Sequence, residues 1–147
     1  MGDAVLVDDH VLLAVLLGRA PTELRFSDSR IATTGLWYHR LCRAVSGSAV
    51  VGSMSRRLSG LAPGAASAAI GSVVRLPEDI EIVSLRRLGW PMAELLSGGL
   101  RLNLMSLEAI AAARVINAEI CLAPADRNEP LMGAARTLGL NVRTVQA

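Results

Sequence analysis

Two adjacent carboxylates follow a short apolar run near the start of the chain. Asp8 and Asp9 come directly after residues 4–7, a run short and β-branched enough for a buried strand of a parallel sheet. The apolar residues 11–17 follow and end at Gly18, which is typical of a helix. In an open α/β sheet, ligands bind at the turns after the carboxyl ends of strands. One aspartate can cap the helix, at about 1 kcal/mol, while the other stays free to bind a cation.

Two further acidic residues are predicted at the same edge of such a sheet. Glu108 lies in the predicted first turn of a helix, and Asp126 follows the next predicted strand. Carboxylate oxygens suit Mg²⁺ or Mn²⁺, and such a cation can activate water for attack on a phosphodiester. Each residue also has a structural interpretation, because a glutamate near a helix N-terminus favours the helix and Asp126 lies in a turn-like sequence. The candidate metal ligands are Asp8, Asp9, Glu108 and Asp126.

Strands alternate with helices along the whole chain. The order predicts a three-layer α/β/α fold with a four- to five-stranded, mainly parallel central sheet in a single domain over residues 1–147. The last strand is expected at an edge because its residues alternate between polar and apolar. Thr34, Pro91 and Ser106 are predicted to begin helices. The predicted strands are 4–7, 31–33, 80–85, 120–123 and 140–145, and the predicted helices are 11–17, 36–45, 49–61, 65–74, 92–96, 107–118 and 129–138.

The composition sets limits on the class of protein. Hydrophobic residues make up 52% of the chain, which is enough for a real core. No run is long and apolar enough to cross a bilayer, and the acidic N-terminus does not resemble a signal peptide, so we expect a cytoplasmic location and no membrane partner. The two cysteines lack metal-ligand spacing and are expected to be reduced. All fifteen basic residues are arginine, but a net charge of +2 is too small to indicate nucleic-acid binding.

The order of these motifs resembles the PIN domains of VapC-type toxins over nearly the whole length. The opening Val-Leu-Val-Asp-Asp-His-Val-Leu-Leu, the helix Leu-Glu-Ala-Ile-Ala-Ala-Ala from position 107, and the closing segments 120–126 and 131–142 carry the resemblance. It implies a compact α/β/α domain that cleaves single-stranded RNA with Mg²⁺ or Mn²⁺. It also implies a homodimer neutralised by a small antitoxin.

The resemblance assigns site residues unevenly. Asp8, Glu108 and Asp126 match acidic catalytic positions, with Asp9 in support, and His10 stands where the family usually has Asn. Arg40 stands where the family usually has a second acidic ligand, a glutamate. A cation there should weaken divalent binding, and it could instead pair with Asp8 or Glu108. A catalytically inactive PIN-like module that binds RNA or a protein partner is therefore the alternative hypothesis.

Aromatic and basic residues suggest where RNA would bind. Trp37 and Tyr38 could stack on bases while Arg40 and Arg43 contact phosphate, although Trp37 can equally be a core residue. A regulatory protein acting through a dimer surface is a third hypothesis, with helices 11–17 and 65–74 as candidate surfaces. Other arginines could line an RNA path if they share a face, namely Arg56, Arg57, Arg86, Arg87 and Arg101.

Overall fold

The central sheet has five parallel strands in the order β3-β2-β1-β4-β5. A computed structural model describes residues 4–25, 29–46 and 60–147. The mixed α/β class, the parallel sheet and the edge position of the last strand are confirmed. The strands are β1 (Ala4–Val7), β2 (Arg30–Thr34), β3 (Ile80–Val83), β4 (Ala118–Leu122) and β5 (Val142–Thr144).

Helices cover both faces of this sheet. Alternate residues of β1 point to opposite sides: Leu6 joins a core with α5, α6 and α7, whereas Val5 joins a core with α1, α3 and α4. This arrangement makes three layers. Within the described residues no helix is long and apolar enough to span a membrane. The helices are α1 (Asp9–Leu16), α2 (Thr22–Arg25), α3 (Gly35–Ser46), α4 (Pro63–Val74), α5 (Leu85–Ser97), α6 (Leu104–Ile116) and α7 (Glu129–Thr137), with a 3₁₀ turn at Pro124–Asp126.

Two predicted helix starts are wrong. Helix α5 begins at Leu85, because the Ser84 hydroxyl accepts a hydrogen bond from the Arg86 N–H, and Pro91 lies inside the helix. Helix α6 begins at Leu104, because Asn103 Oδ1 accepts from the Ser106 N–H at 2.8 Å, so Asn103 is the cap. Asparagine is at least as good an N-cap as serine, so the sequence offers two possible caps three residues apart. The earlier one, Asn103, is used, and the predicted start was one turn too late. The predicted helix 49–61, with Arg56 and Arg57, lies largely outside the described residues.

The register of the inner strands brings the ends of β1 and β4 together. Val7 is opposite Cys121, so the turn after β1 lies beside the turn after β4. The Thr33 hydroxyl, at the end of β2, donates to the Val7 carbonyl at 2.8 Å. Thr34 Oγ1 accepts from the Trp37 N–H and caps α3, as predicted. The carboxyl ends of β1, β2 and β4 therefore lie side by side, which is where the acidic residues were expected to meet.

Candidate functional site: an acidic cluster holding two cations of the chain

Four ionisable side chains converge where β1 and β4 end. Asp8, Asp9, His10 and Asp126 each offer one ligand atom, and these atoms lie within 4.8 Å of one another. The first three are buried and Asp126 is partly buried. Such a cluster could hold a metal ion. These four residues form the acidic cluster.

Asp8 holds backbone in place with both carboxylate oxygens. Oδ1 accepts from the Val11 N–H at 2.8 Å and so caps α1, and Oδ2 accepts from the Ala123 N–H at 2.7 Å. The first contact confirms the capping interpretation, and the second joins β4 to the same carboxyl group. Burial, together with a hydrogen bond to the Asp126 carboxyl, raises the pKa of Asp8 to about 7. Asp8 is therefore partly protonated at neutral pH.

Arg40 points into the cluster and binds two of its carboxylates. Its Nε and Nη2 both donate to Asp9, the latter at 2.5 Å, and Nη2 also donates to Asp126 Oδ1 at 2.6 Å. The expectation that a guanidinium would fill the site is met, but the predicted partners, Asp8 and Glu108, are wrong. The carboxylate oxygens of Asp8 already accept hydrogen bonds from backbone N–H groups. Arg40 therefore pairs with Asp9, the residue that follows Asp8 in the chain.

His10 is the second cation of the cluster, and the sequence assigned it no role in the site. Its Nδ1 is 2.9 Å from Asp126 Oδ2 and 3.3 Å from Asp9 Oδ1. Hydrogen bonds to Asp126 and Asp9 raise the pKa of His10 to about 9, so the imidazole is protonated at pH 7. Its place in the first turn of α1, directly after two aspartates, was the available signal.

Asp126 is the residue on which both cations meet. Burial alone would raise its pKa, but hydrogen bonds from His10, Asp8 and Arg40 hold the pKa of this carboxyl well below its usual range. At neutral pH the charges of Asp9 and Asp126 are balanced by those of His10 and Arg40. The net charge of the site is then between zero and minus one, depending on the proton of Asp8.

Glu108 stands apart from the acidic cluster. It is 2% exposed, and its Oε1 accepts from the Leu36 N–H at 2.9 Å. The carboxylate therefore stabilises the N-terminus of α3, whose dipole favours a negative charge. Because α6 begins at Leu104, Glu108 lies in the second turn of α6 and not in its first. The helix N-terminus that its carboxylate stabilises is that of α3.

The residues expected to bind RNA lie in different environments on α3. Trp37 is 2% exposed and packs in the core, so its ring offers no face to a base. The Tyr38 hydroxyl donates to the Val73 carbonyl at 2.7 Å, which ties α3 to α4. Arg40 is about one-third exposed, and Arg43 is exposed. Arg40 and Arg43 are therefore the members of this set whose charged groups are accessible to a phosphate.

The candidate dimer surfaces and the more distant arginines also separate. Residues 11–14 of α1 are buried, whereas Val74 of α4 is 70% exposed. Arg87 pairs with Glu81 at 3.2 Å, and Arg86 and Arg101 are exposed.

Comparison with protein-family models and with curated proteins finds no match to this chain. The PIN resemblance therefore stays a prediction, and the fold is consistent with it.

Proposed function

We propose that this protein is a PIN-like domain that binds single-stranded RNA without cutting it, because two of its own cations hold its acidic cluster. The observation that carries the proposal is the pairing of Arg40 with both Asp9 and Asp126. A divalent ion needs those carboxylate oxygens free and the site negative. The donor atoms suit Mg²⁺ or Mn²⁺ in type and spacing, but their charge is already balanced by Arg40 and His10.

The protein surface beside the cluster supports an anionic ligand. Helix α3 presents His39 and Arg43 to solvent, and about a third of the Arg40 side chain is accessible. Arginine donors in this arrangement suit phosphate groups, and because binding releases counterions from the RNA, it should weaken as the salt concentration rises. The small antitoxin of the PIN resemblance remains a further prediction.

Binding and cleavage of one labelled RNA test this proposal together. A fluorescent single-stranded 12-mer is titrated with the wild type, and the same RNA is incubated with Mg²⁺ or Mn²⁺ and resolved on a gel. We expect salt-dependent binding, no cleavage and weaker binding by Arg43→Ala. Arg75→Ala, which removes an exposed arginine at the end of α4, is the matched control. Absence of RNA binding by the wild type would overturn the proposal.

A metal-dependent endoribonuclease is the second candidate. The observation that favours it is the convergence of four potential ligands within 4.8 Å. For this function Arg40 must move away from the acidic cluster, because a divalent metal ion and the Arg40 guanidinium would compete for the carboxylates of Asp9 and Asp126. Cleavage by the wild type that needs Mg²⁺ or Mn²⁺ and is lost in Asp126→Asn would establish this candidate and reject the first.

A further inference from the structure

A cavity of about 480 Å³ opens at the amino ends of β2 and β3, at the opposite end of the strands from the acidic cluster. It has aliphatic walls: Val15 and Leu16 come from the last turn of α1, Ile31 from β2 and Ile80 from β3. All four residues belong to the core on the α1 and α4 side of the sheet or pack against it. Pockets that hold small molecules have volumes of roughly 300–1,000 Å³, so this aliphatic cavity has a suitable size.

Two polar side chains border the aliphatic cavity beside α4 and β3, and both offer hydrogen-bond acceptors. Ser72, near the end of α4, donates its hydroxyl proton to the Ala68 carbonyl at 3.1 Å, so the lone pairs of its oxygen can accept from a ligand. Asp79, directly before β3, is exposed and brings a carboxylate to the rim, and none of the described residues forms an ion pair with it. These acceptors suit a ligand that carries N–H donors on an apolar body.

Arg30 also borders the cavity, but its charge lies on the other face of the sheet. Consecutive residues of a strand point to opposite faces, so the Arg30 side chain points away from the side on which Ile31 lies. Its Nη1 donates at 3.1 Å to Glu81, which is opposite Ala32, a residue of the core on the α5 side. The negative charge of Asp79 is therefore the charge that a ligand in the cavity would meet.

We propose that the aliphatic cavity binds a small aliphatic amine, with its hydrocarbon part against the apolar walls and its ammonium group on Asp79 and Ser72. An ammonium group has three N–H donors and no acceptor, which matches a carboxylate and a hydroxyl oxygen. The hydrocarbon part gains by leaving water for the apolar walls. An anionic ligand would be repelled by Asp79. The proposal does not involve the α3 surface that is proposed to bind RNA and does not depend on it.

Titration of the full chain with three probes of one shape, followed through the amide signals in NMR spectra, tests the proposal. Cyclohexylmethylamine carries a positive charge, cyclohexylmethanol is neutral and cyclohexanecarboxylate is negative. We expect saturable shifts of the Ile31 and Ile80 amides with the amine, at a dissociation constant of about 1 mM for a ligand of this size. The alcohol should bind about fivefold more weakly, since the pair with Asp79 lies at an exposed rim, and the carboxylate should not bind. No saturation by the amine, or an equal affinity of the alcohol or the carboxylate, would overturn the proposal.

Three variants check that the binding uses the predicted groups. Asp79→Asn removes the charge and should weaken amine binding by about fivefold while leaving alcohol binding unchanged. Glu78→Gln, the matched control, removes the adjacent exposed carboxylate, which does not border the cavity, and should bind the amine as the wild type does. Ser72→Leu fills the cavity and should abolish binding of both probes, and circular dichroism should show unchanged folding because leucine is a good helix former. Equal amine affinity of Asp79→Asn and the wild type, or binding that persists in folded Ser72→Leu, would contradict the proposal.

A peptide model distinguishes a free amine from the lysine side chain of another protein. Nα-acetyl-lysine N-methylamide carries its ammonium group on a flexible chain that loses more rotamer freedom on binding than a ring does, so it should bind more weakly than cyclohexylmethylamine. Tighter binding of the peptide model would assign the cavity to a protein partner and overturn the small-molecule site.

Discussion

The acidic cluster and the outward face of α5 treat their charges in opposite ways. In the cluster, Asp9 and Asp126 are paired with cations of the same chain, and the groups are largely buried. On α5, Arg86 and Glu94 lie in solvent without an ion pair among the described residues. The buried charges of the acidic cluster are compensated within the chain, whereas Arg86 and Glu94 on α5 are hydrated by solvent.

Removal of Arg40 should give the largest effect. Arg40→Ala leaves His10 as the one cation beside Asp9 and Asp126, so one buried negative charge loses its partner and we expect a loss of about 3 kcal/mol in the free energy of unfolding. The measurement is urea denaturation followed by circular dichroism. Arg43→Ala, one turn further along the exposed side of α3, is the control and should change stability by less than about 0.5 kcal/mol. Equal stability of the two variants would show that the cluster does not need Arg40.

The pH dependence of stability should identify His10 as the second cation. Its pKa is raised from 6.5 to about 9 in the folded protein, so its contribution is complete below pH 6.5 and disappears as pH rises through 9. We expect a loss of roughly 2 kcal/mol across this range. Asp8, whose pKa is also raised, loses its contribution between pH 4 and 7, so the decline between pH 7 and 9 is the part that belongs to His10. Thermal melts from pH 6 to 10 should show the decline in the wild type, and His10→Gln should flatten it.

Acid should weaken the cluster through a different residue. The pKa of Asp126 is held below its usual range, so its contribution is present above pH 4 and is lost as pH falls below that value. Protonation of Asp126 removes a partner from both Arg40 and His10. Melts from pH 5 to 2 should show Asp126→Asn losing less stability than the wild type. An identical acid profile for the two proteins would assign acid unfolding to other carboxyl groups.

Glu108 should give the smallest effect of the four. Glu108→Gln keeps an oxygen that accepts from the Leu36 N–H and loses only the charge opposite the N-terminus of α3. We expect a loss of about 0.5–1 kcal/mol by urea denaturation, and the Mn²⁺ affinity expected for Arg40→Gln should stay the same when Glu108→Gln is added to that variant. A change in Mn²⁺ affinity caused by Glu108→Gln would show that Glu108 takes part in metal binding.

Sequence patterns predicted the edge of the sheet but not the partners at that edge. The turn after β1, a helix cap by one of the two aspartates and the convergence of Asp8, Asp9 and Asp126 followed from strand–turn–helix periodicity. That Arg40 pairs with Asp9 and Asp126, and not with Asp8 or Glu108, could not be foreseen, because it depends on which of two adjacent aspartates is already bound by backbone N–H groups. Likewise, Glu108 accepts a hydrogen bond at the N-terminus of α3, a helix distant in sequence. Local sequence patterns do not show such a contact.

The two tryptophans illustrate the same limit. The spacing of Trp37 with other apolar residues allowed both a core and an RNA-binding interpretation, and the structure places it in the core. Trp90 received no role because α5 was predicted to begin at Pro91. With that start, Arg86 and Trp90 lie outside the helix, and the i, i+4 spacing with Glu94 carries no meaning. A helix boundary misplaced by six residues therefore hid the common face of these three side chains.

Titration calorimetry with Mn²⁺ measures whether Arg40 and His10 take the place of a divalent ion in the acidic cluster. The wild type should give no saturable binding heat at neutral pH with millimolar Mn²⁺. Arg40→Gln should bind one ion per chain, since Asp9 and Asp126 are then free of the guanidinium. Saturable one-site binding to the wild type that is lost in Asp126→Asn would contradict the claim.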